Sequence, residues 1–212
     1  MDIAVRYEYQ HVVDEIRDLK WGSLDREEMV SVAWAYYFFS IQFRENLEVA
    51  CSLHPSDENL AHLAREECNT DNLSPWYPIA TVGEKMNHDE FMRRTLALLP
   101  LEPEREAHYT AIGNDYLTAM RAHTPTARAL SIASYEDGGL ENVFKAILRF
   151  EDWDTPILRA FHHFLVEHIR FDSNPDEGHG ALCRHLPPDD RVLPIWAAFR
   201  DIFVTFVPKL SD

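Results

Sequence analysis

The segment FHHFLVEHIRFDSNPDEGHGALCRHL, residues 161–186, holds the densest set of side chains able to do chemistry. His168 and Asp172 stand four residues apart. On a helix that spacing puts an imidazole and a carboxylate on one face, about 5–6 Å apart. His179 follows seven residues after Asp172, with Asp176 three residues before it. Mixed nitrogen and oxygen donors of this kind suit iron and manganese. Surface histidines on a solvated face would produce the same pattern, so the segment does not decide the matter alone.

Two further groups add to it. In ASYEDGG, residues 133–139, Glu136 follows the apolar face formed by Ala129, Ile132 and Ala133, near the middle of a helix expected to be largely buried. A buried carboxylate must be paired, protonated or bound to a metal. Gly138 and Gly139 each cost a helix about 1 kcal/mol relative to alanine. Their presence predicts close approach of another group or a local deformation. The competing reading is a helix-ending turn with Glu136 exposed. The other group is Glu66-Glu67 at the end of one helix and Asn87-His88 at the start of the next. Either alone is ordinary. Together the chain offers three carboxylates (Glu66 or Glu67, Glu136, Asp172) and three histidines (His88, His168, His179), the inventory that two metal ions held between helices require.

The elements that would position these groups are helical throughout. Ile3, Tyr7, Val12, Ile16 and Leu19 recur at helical intervals. Asp25 with Glu28 predicts a capping box opening a long helix over 26–52, apolar almost all round at AWAYYFFSIQF. Further helices are expected from Pro55 to Glu67, over 88–99 and over 103–122. Others are expected from Thr124-Pro125 to about 150, from Thr155-Pro156 to Phe171, briefly to Leu186, and over 189–207. Residues 68–86, with two prolines and a glycine, read as a long loop of the kind that covers functional sites. The expectation is a single all-α domain over 1–212 with seven to nine helices and no strand.

Composition narrows the function classes. Acidic residues outnumber basic ones 36 to 20, a formal charge of −16, and that field repels phosphate backbones. No stretch is long and apolar enough for a membrane span. The N-terminal MDIAVRYEYQ lacks a signal-peptide h-region. Cys51, Cys68 and Cys183 form no CxxC pair and are expected as reduced thiols, which with the missing signal points to the cytoplasm.

In order along the chain, Glu66-Glu67, Asn87-His88, Glu136, His168-Ile169-Arg170-Phe171-Asp172 and His179-Gly180 resemble the pattern of the haem-oxygenase-like di-iron oxidases and oxygenases. These are relatives of the CADD-type and UndA-type enzymes on the TenA and PqqC scaffold. The 32-residue interval from Glu136 to His168 fits that pattern, and the resemblance covers about residues 30–205. Two departures are present. The loop 68–86 separates the glutamates from His88, which admits Asp71 as a substitute. The interval from Asp172 to His179 is long, which admits Asp176 or His185.

The resemblance implies a haem-oxygenase-like, TenA-like helical bundle and a homodimer. It implies two Fe(II) ions, with manganese as a possible substitute, and dioxygen as cosubstrate. The substrate would be a small amine, amino acid or fatty-acid-like molecule. Trp34, Tyr36, Tyr37, Phe38, Phe39 and Phe43 are candidates to line its pocket, although plain core packing explains most such residues. Arg44 and Arg149 are candidates for a substrate carboxylate. The alternatives are a metal-free TenA-like or PqqC-like enzyme, with Cys68 or Cys183 as nucleophile in the hydrolase case, and a non-enzymatic metal-binding helical protein.

Overall fold

A computed structural model describes residues 7–67, 76–172, 179–183 and 185–212, without the side chains of Asp137 and Asp172. Ten α-helices lie among the described residues, and there is no strand. They are α1 (Tyr9–Asp18), α2 (Arg26–Leu53), α3 (Glu58–Glu66), α4 (His88–Leu96) and α5 (Pro103–Arg121), followed by α6 (Pro125–Ser134), α7 (Leu140–Ile147), α8 (Pro156–Asp172), α9 (His179–Cys183) and α10 (Leu193–Phe206). No helix among the described residues is long and apolar enough to cross a membrane.

Local chemistry accounts for most helix starts. The expected box opens α2: Glu28 N–H donates to Asp25 Oδ1 at 2.9 Å, and Asp25 N–H donates to Glu28 Oε2 at 2.7 Å. Asp57 accepts from the amides of Asn59 and Leu60 at the start of α3. Thr124 accepts from Ala127 N–H, and Pro125 occupies the first turn of α6, where its missing N–H costs nothing.

The α2 helix is the axis of the molecule. Met29, Val32, Ala33, Tyr36, Phe39, Phe43, Leu47 and Ala50 are buried along it, and it packs against α3, α4, α5, α6, α8 and α10. One contiguous hydrophobic core runs through the described chain. Each large apolar side chain taken fully out of water contributes roughly 1.5–3 kcal/mol.

The count exceeds the expected seven to nine because the single helix predicted over about 125–150 is divided. A π turn, Tyr135–Gly139, separates α6 from α7. Gly138 has a φ of 86°, a left-handed conformation that side chains with a Cβ rarely adopt. Gly139 lies under Trp196: a Cβ there would come within 2.7 Å of the indole ring. Both effects that the glycine pair predicts are therefore present, a deformation and a close approach. Residues 76–86 of the predicted loop carry no helix, and 68–75 lie outside the described residues.

Candidate metal centre

Glu67, His88, Glu136, His168 and His179 come from five different segments and meet in the interior, each at most 9% exposed. Four of them sit at the ends or breaks of elements. Glu67 follows α3, His88 begins α4, Glu136 lies in the π turn, and His179 begins α9. Only His168 sits within a long helix, on the buried face of α8 with Phe161, Phe164 and Leu165.

Glu67 joins the group together. Its Oε2 lies 2.9 Å from His88 Nδ1, and its Oε1 lies 3.0 Å from His179 Nδ1. The same nitrogen of His179 is 3.4 Å from Glu136 Oε2. One carboxylate thus presents its two oxygens to two different imidazoles. Ligand atoms of Glu67, Glu136 and His179 all lie within 4.8 Å of one another. That is close to the spread of donors around one ion with metal–ligand bonds of ~2.1 Å.

His168 joins through His88. Its Nδ1 is 2.8 Å from the Phe164 carbonyl oxygen, which can only accept, so the proton sits on Nδ1 and Nε2 carries the lone pair. Burial, reinforced by the neighbouring His88, holds the His168 imidazole well below its ordinary pKa, so the ring is neutral. Its Nε2 stands 3.2 Å from His88 Nδ1. On the other side of the ring, His88 Nε2 is buried with no hydrogen-bond partner among the described residues. An orphaned buried polar atom costs about 1–3 kcal/mol, a sign that the cluster is not arranged for stability alone.

Charges in the cluster are divided unequally. Burial works against ionisation of Glu67, but His88 and His179 outweigh it and draw the carboxyl well below its usual range. For His179 burial opposes the charge and Glu67 and Glu136 overcome it, so the imidazole is raised well above its usual value. Glu136 is raised, chiefly by burial, which its hydrogen bond to His179 only partly offsets. A divalent cation would keep both carboxylates ionised and displace the proton from His179. Two carboxylates with three imidazoles form a donor set suited to iron or manganese.

The structure distinguishes the two adjacent glutamates. Glu66 is turned one helical step away from the cluster, with Oε1 3.7 Å from His62 Nε2 on the outer face of α3. Asp172 ends α8, but its side chain is outside the described residues, as are Asp71 and Asp176. His185 pairs with Asp57 at the surface and is not part of the cluster. Arg149 donates to the carbonyls of Arg17 and Ala146, away from the site.

The aromatic run of α2 divides by face. Tyr36, Phe39 and Phe43 line a cavity of about 20 Å³ against the cluster, together with Ser40, Glu67, His88, Glu136, Leu140 and His168. Trp34, Tyr37 and Phe38 line a separate groove against α4 and α5. Ser40 and Leu140 carry no sequence signal of this role, since small and aliphatic residues on core helices are ordinary. No family model, no curated protein and no solved structure matches this chain.

Proposed function

We propose that the chain is a non-haem di-iron oxygenase or oxidase that uses dioxygen to oxidise a small amine, amino acid or fatty-acid-like substrate. Glu67, His88, Glu136, His168 and His179 would hold the iron, with one oxygen of Glu67 on the His88 side and the other on the Glu136–His179 side. Manganese is the natural substitute on the same donors. The observation that carries this reading is the pair of bonds from Glu67, one oxygen to each of two buried imidazoles.

Bound iron would supply electrons and open coordination positions for dioxygen. The protein's part is positioning and exclusion of water. Phe164 O fixes the His168 tautomer so that a lone pair faces inward, the usual task of an outer partner to a ligating histidine. Tyr36, Phe39, Phe43 and Leu140 keep the adjoining cavity apolar, with room for about one water-sized occupant.

Anaerobic Fe(II) titration tests the proposal. The expected result is two irons per chain and an absorbance change on admitting oxygen; saturation far below two, or an inert response to oxygen, refutes it. The metal-free hydrolase reading has less support. Of its two candidate nucleophiles, Cys183 is buried on α9 and Cys68 lies outside the described residues.

A further inference from the structure

Ser40, Phe43, Glu67 and His88 line a second space besides the small cavity, a cleft of about 440 Å³. Its remaining walls come from α2 (Arg44, Leu47, Glu48, Cys51, Ser52), from Ala64 of α3 and from Asn87. The volume lies toward the lower end of the range for small-molecule sites. Because four residues are common to both spaces, the cleft leads to the cluster.

The α2 helix gives this cleft two parallel stripes. Phe43, Leu47 and Cys51 repeat every four residues, and Arg44, Glu48 and Ser52 repeat beside them. The Arg44 guanidinium is fixed: Nε donates to Asp89 Oδ2 at 3.0 Å, and Nη1 donates to Glu48 Oε1 at 2.9 Å. These bonds use two of its five N–H groups. Glu48 is largely exposed, and its pairing with Arg44 is of the surface i,i+4 kind that contributes little. A ligand can therefore part the two charges at small cost while Asp89 continues to hold the arginine.

The charges select among ligand heads. Asp89 and Glu48 together outweigh Arg44, which disfavours a simple anion. A simple cation would pair with Glu48 but leave the remaining N–H groups of Arg44 without a ligand oxygen. A zwitterion satisfies both partners. From Arg44 back to Ser40 is four residues, about 6 Å along the helix, which a short side chain spans.

We propose that this cleft is the substrate site and that it takes a zwitterionic α-amino acid with an unbranched apolar side chain. The carboxylate lies on the unspent N–H groups of Arg44, the ammonium lies on Glu48, and the side chain runs along Phe43 and Leu47 toward Glu67 and His88. Its role as a substrate site rests on the di-iron reading, whereas binding itself does not.

Isothermal titration calorimetry on metal-free and Zn(II)-loaded protein, with L-norleucine, hexanoate and hexylamine as probes, tests the selection. Norleucine is expected to bind at least tenfold more tightly than either monopolar probe. Arg44→Ala and Glu48→Gln are expected to weaken it at least tenfold and several-fold, and Ala64→Trp, which fills the cleft, to abolish it. Arg44→Lys controls for disturbance of α4 and is expected to retain part of the affinity. No binding of norleucine, equal or tighter binding of hexanoate or hexylamine, or indifference to Arg44 and Glu48 overturns the proposal. Iron titration run in parallel separates the two readings: two irons without norleucine binding removes only the ligand proposal, and norleucine binding without iron uptake removes only the metal centre.

Discussion

Replacing Glu136 by glutamine separates a metal ligand from a structural residue, because the two roles predict opposite signs. Glu136 is buried, and its carboxyl is raised above the ordinary 4.5 by that burial even with the His179 hydrogen bond in place. A carboxyl raised in the folded state stabilises the protein only while protonated, and that contribution is lost as pH rises through its folded value. Ionising Glu136 is therefore unfavourable in the metal-free native state. Glutamine removes the charge, keeps the size and retains a hydrogen-bonding partner for His179. The metal-free variant is expected to melt no lower than wild type, with roughly 2–4 °C in Tm for each kcal/mol regained in a chain of this size.

Metal binding is expected to move the other way. Loss of outer partners alone costs metal sites 10–100-fold in affinity, so loss of a ligand is expected to cost at least about 100-fold. With Fe(II) at 100 times its Kd, each filled site adds about 2.7 kcal/mol, roughly 5–10 °C, and the variant is expected to lose the increment from the Glu136–His179 side. Scanning calorimetry with and without anaerobic Fe(II) measures both quantities. A variant that melts several degrees lower without metal, and is still stabilised by iron as much as wild type, would refute the assignment of Glu136.

Glu67→Gln is expected to abolish iron uptake and to lower metal-free stability by about 1–3 kcal/mol, since it leaves His88 and His179 poorly partnered; Glu66→Gln is expected to change neither, and elemental analysis with thermal melting compares them. The Glu67 contribution to stability is present above its ordinary 4.5 and is lost as pH falls through its lowered folded value, while that of His179 is present below 6.5 and is lost as pH rises through its raised folded value. The metal-free Tm is therefore expected to fall as the solution becomes alkaline and the Tm increment from metal to grow between pH 6 and 8, because metal displaces the His179 proton; an increment independent of pH would contradict this. Gly138→Ala is expected to cost about 1–2 kcal/mol in chemical denaturation, because its φ of 86° strains any Cβ, and to weaken iron binding through the π turn that places Glu136.

Helix periodicity, the Asp25–Glu28 box and the Thr-Pro starts are local chemistry, and they made the all-α class and most helix positions legible in the sequence. The pair Gly138-Gly139 likewise signalled a deformation, since few other residues tolerate what they do there. The sequence also named all five clustering residues, Glu136 by its apolar face and the others by their spacing and their order along the chain. It ranked them differently from their arrangement in space. Glu136, His168 and Asp172 have the clearest spacing and motif, whereas the tightest group is Glu67, Glu136 and His179.

The choice of Glu67 over Glu66 depends on which side of the last turn of α3 faces α9, a rotation of about 100° that both residues satisfy equally as a pattern. Four of the five residues lie at helix ends or breaks, where no period constrains direction and packing of distant segments decides it. The joining of two imidazoles by one carboxylate, and the opening of the cluster onto the Arg44–Glu48 cleft, exist only once α2, α3, α4, α8 and α9 are brought against one another, because each contact spans segments that share no local geometry.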